Sequence, residues 1–98
     1  MSDAWVETLQ LLFGAWVNQE SLEDAASHMA VHAETAPKFR EQVAKAFEQA
    51  LADENMTDIR LIDCVNESGF RVENVEDALW FVRELKALYE ATLDQASR

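Results

Sequence analysis

The 98-residue sequence is poor in chain-breaking residues, with two Gly and one Pro. All-β folds need many turn residues, so this scarcity excludes a sandwich or barrel and points to a few long elements. A single cysteine, Cys64, excludes an internal disulfide and fits a reducing compartment. Basic side chains are also scarce: eight Lys and Arg stand against 19 Asp and Glu, a formal charge of −11. Such a chain repels nucleic acid and anionic membrane surfaces. No apolar run approaches the ~20 residues that span a bilayer. Met1 to Val17 lacks the basic segment and small-residue cleavage site of a signal peptide. The expected location is the cytoplasm.

Hydrophobic residues make up 49% of the chain and include three Trp and five Phe, enough apolar area for a core. The length allows one domain, 1–98, and not two independent cores. Acidity on this scale keeps a small protein soluble. It also suits a basic protein partner, and nucleases are common among basic enzymes.

Apolar spacing predicts helices throughout. The first, about Asp3 to Val17, carries Trp5, Leu9, Leu12 and Trp16 on one stripe, with Val6, Phe13 and Val17 beside it and Ser2 or Asp3 as cap. Gly14 inside it marks a close approach of another helix. Ser21, with Asp24 three residues on, starts a second helix to about Glu34, whose thin face is Leu22, Ala25, Ala26, Met29 and Ala33. Pro37 suits the first turn of a third, about Ala36 to Ala52, with Phe39, Val43, Ala46, Phe47, Ala50 and Leu51 inward. Thr57 is the expected cap of a fourth, about Asp58 to Ser68, with Ile59, Ile62 and Val65 inward, Leu61 and Cys64 alongside, and Gly69 as its stop. Asn74 and Asp77 open a fifth and longest helix to about Gln95, with Val75, Leu79, Val82, Leu85, Tyr89 and Leu93 in one row. The fold class is all-α, a compact bundle of four to five helices.

Little of this supports catalysis. His28 and His32 are four apart on one helix, but Met29 stands where the zinc-protease pattern needs a Glu. Ordinary surface or half-buried histidines are expected, with no metal and no cofactor. Cys64 lies mid-helix beside Ile62 and Val65, where packing is the expected role rather than nucleophilic attack. There is no Gly-rich phosphate loop and no Glu-x-x-His pairing of the di-iron bundles. The chain is expected to bind a partner and not to be an enzyme.

Charge is segregated along the chain. Residues 1–37 hold six acids and no Lys or Arg; residues 53–77 hold eight acids against Arg60 and Arg71; residues 38–52 carry a net +1. First-turn acids answer the helix dipole, which accounts for Glu23, Asp24, Asp58, Glu76 and Asp77. Glu20, Asp53, Glu54, Asp63 and Glu67 have no such account and could build an acidic face. Phe13, Trp16 and Trp80 exceed the main stripes; each widens a buried face or anchors a partner.

At Leu11–Glu20 the chain reads Leu-Leu-Phe-Gly-Ala-Trp-Val-Asn-Gln-Glu. This resembles the opening of a family of bacterial immunity proteins of contact-dependent growth inhibition systems, related to colicin D immunity. Its members begin with an apolar segment, Leu-Phe-Gly, an aromatic pair, His-Gln-Asp and Trp. Leu12-Phe13-Gly14 and Trp16 match, Asn18-Gln19-Glu20 is similar to the His-Gln-Asp step, and Ser21 replaces the Trp. Ser68-Gly69-Phe70 and Ala78–Leu88 are similar to the family's closing Gly turn and last helix.

The resemblance implies a cytoplasmic immunity protein in a one-to-one complex with a basic toxin nuclease domain. It would cover the active site or substrate groove, where Lys, Arg and His hold RNA phosphates and carboxylates can take their place. Charge clustering and loop placement select Glu20, Glu23 and Asp24 around the first loop, and Asp53, Glu54, Asp58 and Asp63 around the third, as toxin-binding residues. The alternative is a small acidic helical adaptor or oligomerisation protein that self-associates through Trp5, Trp16 or Trp80.

Overall fold

Short polar side chains set most of the helix boundaries. The structure, a computed structural model, describes residues 4–18 and 20–96. Ser2 and Asp3, the expected first caps, and Gln19 lie outside the described residues. The elements are α1 (Ala4–Leu11), a π-helical turn (Leu12–Trp16), α2 (Leu22–Thr35), α3 (Pro37–Ala50), a 3-10 turn (Asp53–Asn55), α4 (Arg60–Asn66) and α5 (Val75–Ala96). No strand occurs among the described residues. The chain is an all-α bundle with a radius of gyration of 12.5 Å, near the ~13 Å of a folded chain of about 100 residues.

Ser21 Oγ accepts the Asp24 backbone N–H at 3.1 Å and opens α2. Pro37 takes the first position of α3. Asn74 Oδ1 accepts the Asp77 N–H at 2.8 Å and opens α5, while its Nδ2 donates to Asp77 Oδ2 at 3.3 Å. Between α4 and α5 the chain turns at Gly69, whose φ of +96° lies where only glycine is at ease. Asn66 braces the segment leaving the turn, accepting from Val72 N–H at 2.9 Å and donating to its carbonyl at 3.4 Å.

The fourth helix departs from expectation. Thr57 does not cap it. Asp58 Oδ1 accepts the Arg60 N–H at 2.9 Å, and the helix starts at Arg60. Positions i, i+3 and i+4 from the first inward residue are then Leu61, Cys64 and Val65, and these are the buried ones. Ile59, expected inward, precedes the helix and is 73% exposed; Ile62 is half-buried.

The first helix also departs. Val17 N–H reaches Leu12 O at 2.9 Å, a five-residue closure that widens the last turn. Leu9, Phe13 and Val17, each four apart, are fully buried, whereas Trp16 turns half outward. It meets His32 and Phe39 with ring centroids 5.5 Å away in each case.

α1 packs between α3 and α4, and α2 packs chiefly on α5. The small side chains Ala25, Ala26, Ala30 and Ala33, with Met29, are buried on α2 and let α5 lie close. Leu79, Val82, Leu85 and Tyr89 are buried along the α5 row, with Val75 and Leu93 half-buried at its ends. Val43, Ala46, Phe47 and Ala50 supply the buried face of α3. Gly14 faces Glu67 at the end of α4. A methyl there would sit 3.6 Å from Glu67 Cβ, an ordinary contact, so the approach does not require glycine.

Candidate functional site

The expected binding residues fall on two parts of the fold. Glu20 precedes α2, half-buried, with its Oε2 3.0 Å from His28 Nδ1. It lies beside Asn18 and the Ser68-Gly69-Phe70 turn around a shallow depression of about 440 Å³. Glu23 and Asp24 are exposed in the first turn of α2. Asp53 and Glu54 are exposed on the 3-10 turn, and Asp63 is exposed on α4. Among the described residues, Asp58 is the one of these seven carboxylates that pairs with a Lys or Arg. It pairs with Arg60 at 2.7 Å, and its side chain is only 19% exposed. That guanidinium holds its carboxyl below the ordinary carboxylate value.

α2 packs chiefly on α5 and α3, and α4 on α1 and α5, so the two acidic groups sit on elements with different main neighbours. The turn after α4 brings residues 68–70 next to Glu20.

The stretch 53–77 is the more strongly charged part. Of its eight carboxylates, Asp58 is paired with Arg60. Asp53, Glu54, Asp63, Glu67, Glu73, Glu76 and Asp77 make no ion pair among the described residues. All seven are exposed. An array of this kind projects a negative potential into solvent, screened over about 8–10 Å at moderate salt.

The histidines of α2 do not converge. His28 faces Glu20, while His32 stacks edge-on against Phe39, with ring centroids 4.6 Å apart. Among the described residues no three His, Cys, Asp or Glu side chains are grouped as metal ligands. Cys64 is buried with its Sγ 3.7 Å from the Val6 carbonyl oxygen. Desolvation, and then the charge of Asp63, push its thiol up to about 12. A thiol so protonated is no nucleophile at neutral pH. Between α3 and α5 a cleft of about 350 Å³ is floored by Phe47 and Tyr89 and edged by Arg40. The buried Tyr89 hydroxyl has no hydrogen-bond partner among the described residues, and burial raises its pKa.

Trp80 stands out on the α5 surface at 54% exposed. Its place one residue off the buried row of α5 was the only sequence signal for this. Trp5, by contrast, is buried, and Arg60 Cζ lies over its ring, 5.5 Å from the centroid.

The fold and surface define an acidic all-helical chain with a run of exposed carboxylates that make no ion pair among the described residues. No protein-family model, curated protein or solved structure matches the chain. Among the described residues, no helix is long and apolar enough to cross a membrane.

Proposed function

We propose that this chain is a cytoplasmic immunity protein that binds and neutralises the nuclease domain of a contact-dependent growth inhibition toxin. The observation that carries the proposal is the run of seven exposed carboxylates between Asp53 and Asp77 that make no ion pair among the described residues. An RNase holds its substrate by cationic phosphate subsites, and carboxylates presented on a rigid scaffold can occupy them. The same field accelerates encounter, by up to about 10³-fold at low salt. The Leu12-Phe13-Gly14 and Trp16 resemblance supplies the identity of the partner class. Action is by binding alone. Protection demands tight association; about 1 nM corresponds to about −12 kcal/mol.

Self-association is less well supported. Of the three tryptophans, Trp5 is buried and Trp16 is half-buried against His32 and Phe39. Two copies at −11 each also repel.

Co-expression of this chain with the C-terminal nuclease domain of the toxin encoded beside it, followed by pull-down at low and high salt, is the test. A one-to-one complex that restores growth is expected, with association slowed by salt. No complex, or a complex without rescue of growth, would overturn the proposal.

A further inference from the structure

The N-terminal half of α5 exposes an apolar feature that the bundle does not need for itself. Trp80 is 54% exposed, yet its ring is held in place. It stands edge-on to Phe81, with centroids 5.0 Å apart and planes at 87°. Phe81 in turn stacks on Phe70 from the preceding turn at 4.9 Å. Phe81 and Phe70 are half-buried, so Trp80 rests on a fixed aromatic platform and loses little freedom on being covered.

Beside it runs a shallow groove of about 540 Å³, with Met56, Val75 and Leu79 as apolar lining. Glu76 and Arg83, at i−4 and i+3 from Trp80, form the edge common to the groove and the Trp80 face. Asp77 adds a second carboxylate three residues before Trp80, and Asp53 and Glu54 stand three and two residues before Met56 in the chain. Among the described residues, Arg83 is the one cation lining this groove. An apolar anchor and groove edged by carboxylates is the arrangement of an interface centre: a desolvated aromatic surrounded by polar groups that set the partner.

We propose that Trp80 and the adjoining groove are the anchor site for the basic toxin domain, Trp80 entering an apolar pocket ringed by Lys and Arg on that partner. The inference rests on the proposed immunity function and adds to it where the contact is centred. Charge complementarity selects this occupant. A second copy of the chain would bring the same carboxylates to the same face.

The anchor should act on dissociation and the rim on association. The experiment is surface-plasmon measurement of the toxin domain on the wild-type chain, Trp80→Ala, Glu76→Lys/Asp77→Lys, and Val31→Ala, a control exposed at 63% on α2. Circular dichroism melts accompany each; alanine is the best helix former, so Trp80→Ala retains the fold. Expected are dissociation at least tenfold faster for Trp80→Ala, slower and less salt-sensitive association for the charge-reversed pair, and no change for Val31→Ala. Tight wild-type binding with Trp80→Ala unchanged would overturn the anchor and leave the immunity function standing. Failure of the wild-type chain itself to bind removes both. A stable dimer of the isolated chain that Trp80→Ala dissociates would assign the face to a second copy and also overturn the inference.

Discussion

Arg60 clasps Asp58 across two residues of chain. Its Nε donates to both carboxylate oxygens at 3.1 Å and its Nη2 to Oδ2 at 2.7 Å, while Asp58 Oδ1 also accepts the Arg60 backbone N–H at 2.9 Å. One carboxylate thus starts α4 and fixes a guanidinium that lies over Trp5.

The pH dependence follows from that clasp. The hydrogen bond from Arg60 lowers the Asp58 carboxyl in the folded chain. Its contribution to stability is present above the unfolded value of about 3.9 and lost as pH falls through the lower folded value. Asp58→Ala removes both the acceptor of the Arg60 N–H and the charge and should cost about 1–2 kcal/mol at neutral pH. Asp58→Asn retains an acceptor for that N–H and should cost less. Urea unfolding at neutral and strongly acidic pH checks this: the wild-type and Asn chains should converge in acid. A gap unchanged by acid would show that the ionised carboxylate contributes nothing.

The two glycines should respond oppositely to alanine. At Gly69, with φ at +96°, a side chain is strained although space is open around it. Gly69→Ala should destabilise by about 1–2 kcal/mol. Gly14 sits in a helical turn where the added methyl meets Glu67 Cβ at an ordinary 3.6 Å. Gly14→Ala should therefore be neutral or stabilising by up to about 1 kcal/mol. Denaturant midpoints measure both, and a strongly destabilised Gly14→Ala chain would contradict the ordinary contact seen at the π-turn.

Cys64 should be silent in the folded chain. Burial pushes its thiol up from 9.0 to about 12, so the folded state favours the protonated form. The sign is that of a raised group: its stabilising contribution is full below about 9 and declines as pH rises toward 12. Iodoacetamide at about pH 8.5, the ordinary thiol value, should label the unfolded chain and spare the folded one. Rapid labelling without denaturant would contradict the burial. Tyr89, also raised by burial, adds to the alkaline loss in the same direction.

Helix existence and order were legible because local chemistry and apolar period agreed. Ser21, Pro37, Gly69 and Asn74 each act where the sequence places them. The rows of α3 and α5 were legible from spacing alone. Two features were not. The π-turn at Leu12–Trp16 shifts the stripe, so that Phe13 and Val17 stay inward and Trp16 moves out. A regular 3.6-residue period cannot anticipate that insertion. The later start of α4, set by Asp58 rather than Thr57, puts Ile59 outside and Leu61 inside.

The candidate surface was legible only as charge. Segregation of acids over 53–77 is a property of the sequence, but pairing is not: nothing in the spacing singled out Asp58 as the carboxylate engaged by Arg60. Nor could helical spacing tell whether Trp80 widened the buried row or faced solvent, because one residue off a row lies on the boundary between the two.

The pairing of α2 with α5 bears on how the chain is made. The buried face of α2, Ala25, Ala26, Met29, Ala30 and Ala33, has its main cover on a helix that begins at Val75. On the ribosome that face waits through the synthesis of some fifty residues, about 3–10 s at elongation rates of about 5–20 residues per second. During that wait α1, α3 and α4 can already assemble around their own contacts. Nascent chains arrested before Val75 would carry an open Ala–Met stripe, a recognisable substrate for chaperones and proteases, so a cell would retain only molecules in which the fifth helix has closed over the second.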